Sequence, residues 1–272
     1  MTDWNQHQKR KQDVTARAGL PNHMYGYCRV IGCGKPARAG TADGLDERYC
    51  RAHADHNQRH GSPLKGSYSA QELNPYRRAA LAWIVAHEGS QWVQNAVQKI
   101  RGLYQQAGPY VEAFRLRGLP PQQRAKAALA RLRKHGIDPR LVVAAWLAVE
   151  MLIQDDPQPV QGGEYKRVQA AKVVHRMASG SHRRWVREVP SPVWPGQKQA
   201  VVQEMHVYPR SRGRVLRHLG RKLESAVELL VDHHLADVSA FKREMDAAGA
   251  SGARPYPRGW VSRPRAKDGE EK

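Results

Sequence analysis

From Ser69 to Ile153 the apolar positions recur with a helical period, and the pattern predicts four helices in succession. Ser69-Ala70-Gln71-Glu72 has the capping-box form, and Ala79, Ala80, Trp83 and Ile84 follow at helical spacing up to about His87. A second helix opens at Ser90 and places Trp92, Val93, Ala96, Val97, Ile100, Leu103 and Tyr104 on one face. Gly108-Pro109 and Gly118-Leu119-Pro120-Pro121 interrupt the pattern. Gln122 to His135 reads as a basic, alanine-rich helix stopped by Gly136. Asp138-Pro139 then starts a helix that reaches Ile153. Of the 13 residues from Leu141 to Ile153, 12 are apolar, so this helix is expected at the centre of the core.

The pattern changes after a loop at 155–163. Glu164 to Ser179 carries Tyr165, Val168, Ala171, Val174 and Met177 at a spacing of three and reads as a helix ended by Gly180. His182 to Val189 and Gln199 to Tyr208 read as strands. In the second, Val201, Gln203, Met205 and Val207 alternate with Val202, Glu204 and His206, and a Pro-rich connection suggests a hairpin. A long helix is expected from about Arg210 into the 240s. Gly213 and Gly220 weaken its first half, and the pattern allows a break near His233. The expected fold class is mainly α, with a short β-hairpin in a basic C-terminal region.

The two ends have no such periodicity. Residues 1–22 are polar and weakly basic and predict a flexible basic arm or a frayed helix. Residues 247–272 predict a disordered tail, in which Arg254 to Lys267, with Tyr256 and Trp260, is a segment suited to folding on a partner. The expected organisation is therefore an arm (1–22), a cysteine module (23–65), a helical domain (66–155), a basic helix and hairpin domain (156–246) and a tail.

Composition narrows the partner. The 272 residues carry 45 Lys and Arg against 25 Asp and Glu, a formal charge of +20 and a pI near 10.3. Such a chain is drawn to polyanions, of which DNA and RNA are the commonest and anionic lipid the rival. The longest apolar run is 13 residues and contains Glu150, too short to span a bilayer. The first residues have no apolar core, so no signal peptide is expected; the location expected is cytoplasmic, with no membrane partner. Three cysteines cannot all pair, and in a reducing compartment clustered cysteines more often bind metal.

All three cysteines lie between residues 28 and 50. Cys28 and Cys33 form C-x4-C, Cys50 and His53 form C-x2-H, and 16 residues separate the pairs. Three thiolates and one imidazole are a usual structural zinc set, so zinc is the expected cofactor and Cys28, Cys33, Cys50 and His53 its ligands. His56 and His60 are alternative fourth ligands. The intervening Gly40 and Gly44 suit a hairpin or loop, and Cys50 and His53 fall where a helix begins. Four protein ligands leave no open position, so the metal is expected to be structural.

This pattern, with His60-Gly61-Ser62-Pro63 after it, is similar to CCCH treble-clef or zinc-knuckle modules of phage and mobile-element proteins that bind nucleic acid. Some of those modules accompany homing or HNH-type endonucleases. The resemblance covers about 40 of the 272 residues and implies metal binding in a nucleic-acid setting. Ala54 departs from it, because an aromatic usually follows the ligand histidine.

The second candidate site is basic. Residues 166–222 hold 14 Lys and Arg against two acids, Glu188 and Glu204. Arg210, Arg214, Arg217 and Arg221 are spaced as one stripe of a helix, opposite Leu216, Leu219, Leu223, Val227 and Leu230. Arg183, Arg184 and Arg187 surround Trp185, an aromatic that could stack on a base. These seven arginines are the expected nucleic-acid contacts. A winged helix, with the Glu164 helix as reader and the hairpin as wing, is a further reading, although the linker at 154–163 is long for it.

The function expected is therefore a non-enzymatic, zinc-containing nucleic-acid-binding protein, with DNA favoured over RNA, possible protein subunits of a nucleoprotein complex as partners, and a phage or mobile-element setting. A metal-dependent, HNH-like nuclease is the enzymatic rival. Its candidate residues are Asp55 and His56 (Asn57 and His60 have the bare spacing of a partner) or Glu228, Asp232, His233 and Asp237 with Asp155 and Asp156. A protein–protein adaptor using the zinc module is the third reading.

Overall fold

A computed structural model describes residues 2–19, 26–37, 39–41, 44–160, 162–190, 197–210 and 213–249. The expected tail beyond 249 and the connection at 191–196 lie outside these residues.

The protein is mainly α-helical. Helix α1 (Thr2–Gly19) runs alongside a small antiparallel pair, β1 (Ala39–Thr41) and β2 (Gly44–Asp46). The basic N-terminal segment is thus helical through Gly19. Helix α2 (Arg51–His60) follows the pair and completes the cysteine module.

Six helices then build the core: α3 (Ala70–Ala86), α4 (Gln91–Gln105), α5 (Pro121–Lys134), α6 (Pro139–Gln154), α7 (Gly163–His175) and α8 (Arg214–Ala247). The capping box at Ser69 is present in both halves. The Ser69 hydroxyl accepts from the Glu72 amide at 3.2 Å and the Glu72 carboxylate accepts from the Ser69 amide at 2.6 Å. Every residue of α6 from Val142 to Met151 is buried, and α6 packs on α3, α4, α7 and α8. It is the central helix that its apolar run predicts. One polar group lies within it. Glu150 accepts from the Trp146 indole at 3.0 Å and pairs with Lys166 at 2.7 Å, so its charge is balanced.

One apolar core joins α3 to α8, from Leu73 to Val238. The domain boundary expected at 155/156 therefore falls between helices that share their packing. Loop residues at that boundary also hold the module's exit in place: Asp156 accepts from Lys65 and from the Tyr68 hydroxyl, and Asp155 from the Tyr76 hydroxyl.

Helix α8 is continuous for 34 residues, with no break at His233. Leu216, Leu219, Leu223, Val227 and Leu230 are all buried, as the stripe predicts. The helix starts at Arg214, not Arg210, because Gly213 turns the chain at positive φ. At Gly220 the missing side chain leaves room for the Arg167 backbone, and Arg167 pairs with Glu224 at 2.5 Å.

The winged-helix expectation fails. No residue of α7 is exposed, since it is packed against α6, α8 and α2, so it has no free face to read a groove.

Strands β3 (Ser181–Pro190) and β4 (Lys198–Val207) pair antiparallel from Ser181↔Val207 to Pro190↔Lys198. The hairpin is a ten-residue ribbon on each side, longer than expected, and it leaves the core at its root. Ser181 is buried there, its hydroxyl accepting from the Ala113 amide at 2.7 Å and lying 3.0 Å from the Tyr110 hydroxyl. Beyond Ser181, no residue of either strand is buried.

Candidate metal centre and the cleft beside it

The four candidate metal-binding residues come from two local structures joined by the β1–β2 pair. Cys28 and Cys33 flank a tight loop in which the Cys33 amide donates to the Val30 carbonyl at 3.0 Å and the Cys28 amide to the Lys35 carbonyl at 2.8 Å. Gly32 holds this loop at φ 79°, a conformation that glycine adopts without steric cost. The β1–β2 pair then returns the chain. Asp46 steers it into α2 by accepting from the Arg48 and Tyr49 amides. Cys50 is the N-cap of α2 and His53 lies one turn along, so both face the knuckle.

The four ligand atoms lie within 4.8 Å of one another. The Cys33 and Cys50 sulfurs are 3.8 Å apart, and His53 Nδ1 is 3.3 Å from the Cys28 sulfur and 3.4 Å from that of Cys50. A tetrahedral ion with bonds of about 2.3 Å to sulfur and 2.0 Å to nitrogen needs edges of about 3.8 and 3.5 Å. The site is thus already the size of a tetrahedral coordination shell. The four residues are close enough to hold a metal ion.

The electrostatics agree with that use. Burial raises the Cys28 thiol, but amides of Cys50 and Val30, with His53 and Cys33, outweigh it and leave its pKa below the usual thiol value. The His53 amide, at the positive end of α2, lowers that of Cys50 against the opposing effect of burial. At Cys33 the Lys35 amide favours the thiolate, yet burial and the two neighbouring thiols together raise the pKa. Three sulfurs this close cannot all ionise unaided. A cation among them removes the conflict.

The remaining histidines of the module are not ligands. His56 Nδ1 lies 2.8 Å from the Ser62 carbonyl, His60 Nδ1 lies 2.9 Å from the Ser67 hydroxyl, and the two rings stack at 4.4 Å. Burial, with Lys172 close by, pushes the His60 pKa down to about 4, so it stays neutral. His56 is therefore engaged in structure, and Asp55 pairs with Arg51 at 3.2 Å. The second candidate nuclease cluster also disperses. His233 stacks on Trp92 at 4.2 Å, Asp237 pairs with His234 at 2.9 Å, and Asp155 and Asp156 hold tyrosines and Lys65. Among the described residues, only the Cys28–Cys33–Cys50–His53 group brings three or more His, Cys, Asp or Glu ligand atoms together.

The module is fastened to the core through the C-terminal end of α2. Four carbonyls at a helix end lack intrahelical donors. Here Arg217 donates to the carbonyls of Asn57 at 3.0 Å and Gln58 at 3.2 Å, the Gly213 amide also donates to Gln58, Lys172 donates to Arg59, and Gln169 donates to His60. Arg217 is further paired with Glu164 at 2.5 Å.

This reorders the expected arginine row. Arg217 is engaged inside the protein. Arg210 precedes the helix, and Arg214 and Arg221 are exposed on it. Of the ribbon arginines, Arg184 pairs with Glu204 at 3.5 Å, Arg183 lies 4.6 Å over the Phe114 ring, and Arg187 is exposed.

Between the module and the core lies a cleft of about 1440 Å³. One wall is drawn from Asp46 to Arg59, another from the segment Ala113 to Arg124, and the third from Val207 to Arg210 and Gly213 to Arg217. Arg210 and Arg214 line it, and so do Arg59, Arg117 and Arg124, which pattern reasoning did not single out. These three are isolated in sequence, and only folding gathers them. Among the described residues, Arg59, Arg117, Arg124 and Arg210 form no ion pair, and Arg124 Nε is buried without a hydrogen-bond partner. Three acids of the cleft are paired: Asp46 with Arg48 and Glu164 with Arg217, both on the cleft wall, and Asp55 with Arg51 outside it.

Compared with known protein families, with curated proteins and with solved structures, the chain finds no match. No helix of the described residues is long and apolar enough to cross a membrane.

Proposed function

We propose that this chain is a non-enzymatic nucleic-acid-binding protein whose N-terminal module is built on a structural zinc ion. The arginine-lined cleft carries the reading. Its volume exceeds the several hundred cubic ångströms, up to about 1,000 Å³, of a small-molecule pocket, which favours a polymer. Among the described residues Arg59, Arg117, Arg124 and Arg210 of its lining form no ion pair, and guanidinium groups suit bidentate contact with phosphate. Zinc is the metal that best fits three thiolates and an imidazole at tetrahedral spacing. All four positions come from the protein, which supports a structural ion rather than a catalytic one. The order of knuckle, β-pair and helix supports the resemblance to treble-clef modules, and with it a phage or mobile-element setting.

The test is binding of a labelled DNA duplex, followed by fluorescence anisotropy across a salt series. The logarithm of affinity falls with that of salt at a slope of about −0.9 for each phosphate neutralised. Replacing Arg117 and Arg210 together by Ala flattens the slope by about two units. A salt-independent affinity, or no binding at low salt, rejects the reading. One observation favours the adaptor alternative: Ile31, at the tip of the knuckle, is 100% exposed. If the adaptor reading holds, Ile31→Ser abolishes capture of a protein partner and leaves DNA affinity unchanged.

A further inference from the structure

The β3–β4 ribbon is the largest element that the core does not explain. An isolated two-stranded hairpin is marginal in water, and here β3 is exposed from His182 to Glu188 while Val201, Gln203, Met205 and Val207 of β4 are half-buried. Its two faces differ in charge. Opposed residues in the register share a face. On one, His182, Arg184, Val186 and Glu188 meet His206, Glu204, Val202 and Ala200. That face neutralises itself, since Arg184 pairs with Glu204, and Glu188 pairs with Lys198 at 3.6 Å. On the other, Arg183, Trp185 and Arg187 meet Met205, Gln203 and Val201, with no acid among them. Trp185 is 42% exposed there.

The cationic face is also the one that turns toward the cleft. Ser181 lies on it and is bonded to Ala113, and Arg183 lies over Phe114, which lines the cleft. The end of β4 continues directly into the cleft wall through Tyr208 and Arg210. Ribbon and cleft thus form one surface.

We propose that β3–β4 is a DNA-duplex arm, whose Arg183–Trp185–Arg187 face enters the major groove while the cleft holds the adjoining phosphate backbone. This rests on the nucleic-acid reading above and names the form of the ligand. A B-DNA major groove of about 12 Å admits a two-stranded ribbon. Ten residues at about 3.3 Å each span roughly one turn of duplex. Side chains two apart on one face stand about 6.7 Å from each other, the rise of two base pairs. Arginine and glutamine are the side chains that address guanine and adenine edges there, and Gln203 stands opposite Trp185 at mid-ribbon. The major groove of A-form RNA is too deep and narrow for this entry.

The experiment compares a DNA duplex of about 30 base pairs, long enough for ribbon and cleft together, with RNA duplex and single-stranded DNA of matched sequence. Affinities of the full zinc-loaded chain are read by anisotropy at one fixed salt. The wild type prefers duplex DNA over duplex RNA by about tenfold, the cost of losing groove contacts of this kind. Trp185→Ala with Arg187→Ala weakens duplex DNA by about 30-fold and removes the preference; Arg184→Gln, on the neutralised face, changes it less than about twofold. Arg187→Glu, a single change at an exposed side chain, gives the same direction if the double variant misfolds; circular dichroism and zinc content report that directly. Wild-type DNA affinity in both face variants, with loss only on changing Arg117 and Arg210, overturns the arm and leaves the nucleic-acid reading standing. Equal binding of RNA and DNA duplexes also overturns it. No binding of any nucleic acid by the wild type removes the underlying reading and the arm with it.

Discussion

Gly61 is constrained twice. It caps α2 at φ 80°, where L residues are strained, and an added Cβ would come within 3.0 Å of Tyr165, Glu164 and Val168 atoms on α7. Gly61→Ala therefore destabilises the protein by about 2 kcal/mol, read from the urea midpoint of the zinc-loaded chain. Arg217 is the side-chain counterpart. It donates to two end carbonyls of α2 and pairs with Glu164, so Arg217→Ala strips Glu164 of its cation and leaves the Asn57 and Gln58 carbonyls only the Gly61 and Gly213 amides. A loss of about 2 kcal/mol in the same assay is expected. Nothing in the sequence distinguishes Arg217 from Arg221. Both sit at stripe positions of one helix, and only the approach of α2 separates the engaged arginine from the exposed one. The three cysteines of the candidate metal site were readable from spacing, whereas His53 was separated from His56 and His60 only by the fold. Cys50→Ala abolishes stoichiometric zinc, measured by metal analysis after dialysis.

At the scale of elements, α6 and β3–β4 stand at opposite ends of stability. The buried run from Val142 to Met151 packs on four helices, whereas the ribbon holds to the core only near Ser181 and Arg183. Hydrogen exchange on the free protein shows its slowest amides in α6 and fast exchange through the outer half of the ribbon. The alternation of Val201, Gln203, Met205 and Val207 with Val202, Glu204 and His206 marked a strand, and the first set is the partly buried side. It could not mark where the ribbon points, because that depends on Ala113 and Phe114, some 70 residues earlier. The Glu164 helix shows the converse. Its place before the strands suggested a reading helix, though its basic residues are scattered around it, and neighbours on three sides cover it.

For the whole molecule, the module and the helical core depend on different forces. The module's own buried cluster is Cys28, Val30 and Cys50, with Cys33 and Tyr49 against it. This is too small to fold unaided, so a chelator removes its structure, while the α3–α8 core retains its helical signal. The core carries its own acid sensitivity. His175 is buried near Arg131, Arg176 and Arg124; burial first, then these cations, lower its pKa from 6.5 to about 3. Below pH 6.5 the unfolded chain takes up a proton that the folded chain refuses, so this contribution is complete above 6.5 and lost as pH falls toward 3. Urea midpoints of the metal-stripped protein fall over that window, and His175→Gln reduces the fall.

The sequence alone determined the helical class, the central helix, the strands of the ribbon and the Cys28, Cys33, Cys50 and His53 group that could hold a metal ion. Each depends on residues close in the chain, where period and spacing act directly. Tertiary structure alone decided that α3 to α8 share one core, that Arg217 belongs to the interior, and that Arg59, Arg117, Arg124 and Arg210 line one cleft. Those outcomes depend on segments far apart in sequence being brought together, and burial of the apolar faces is what brings them there.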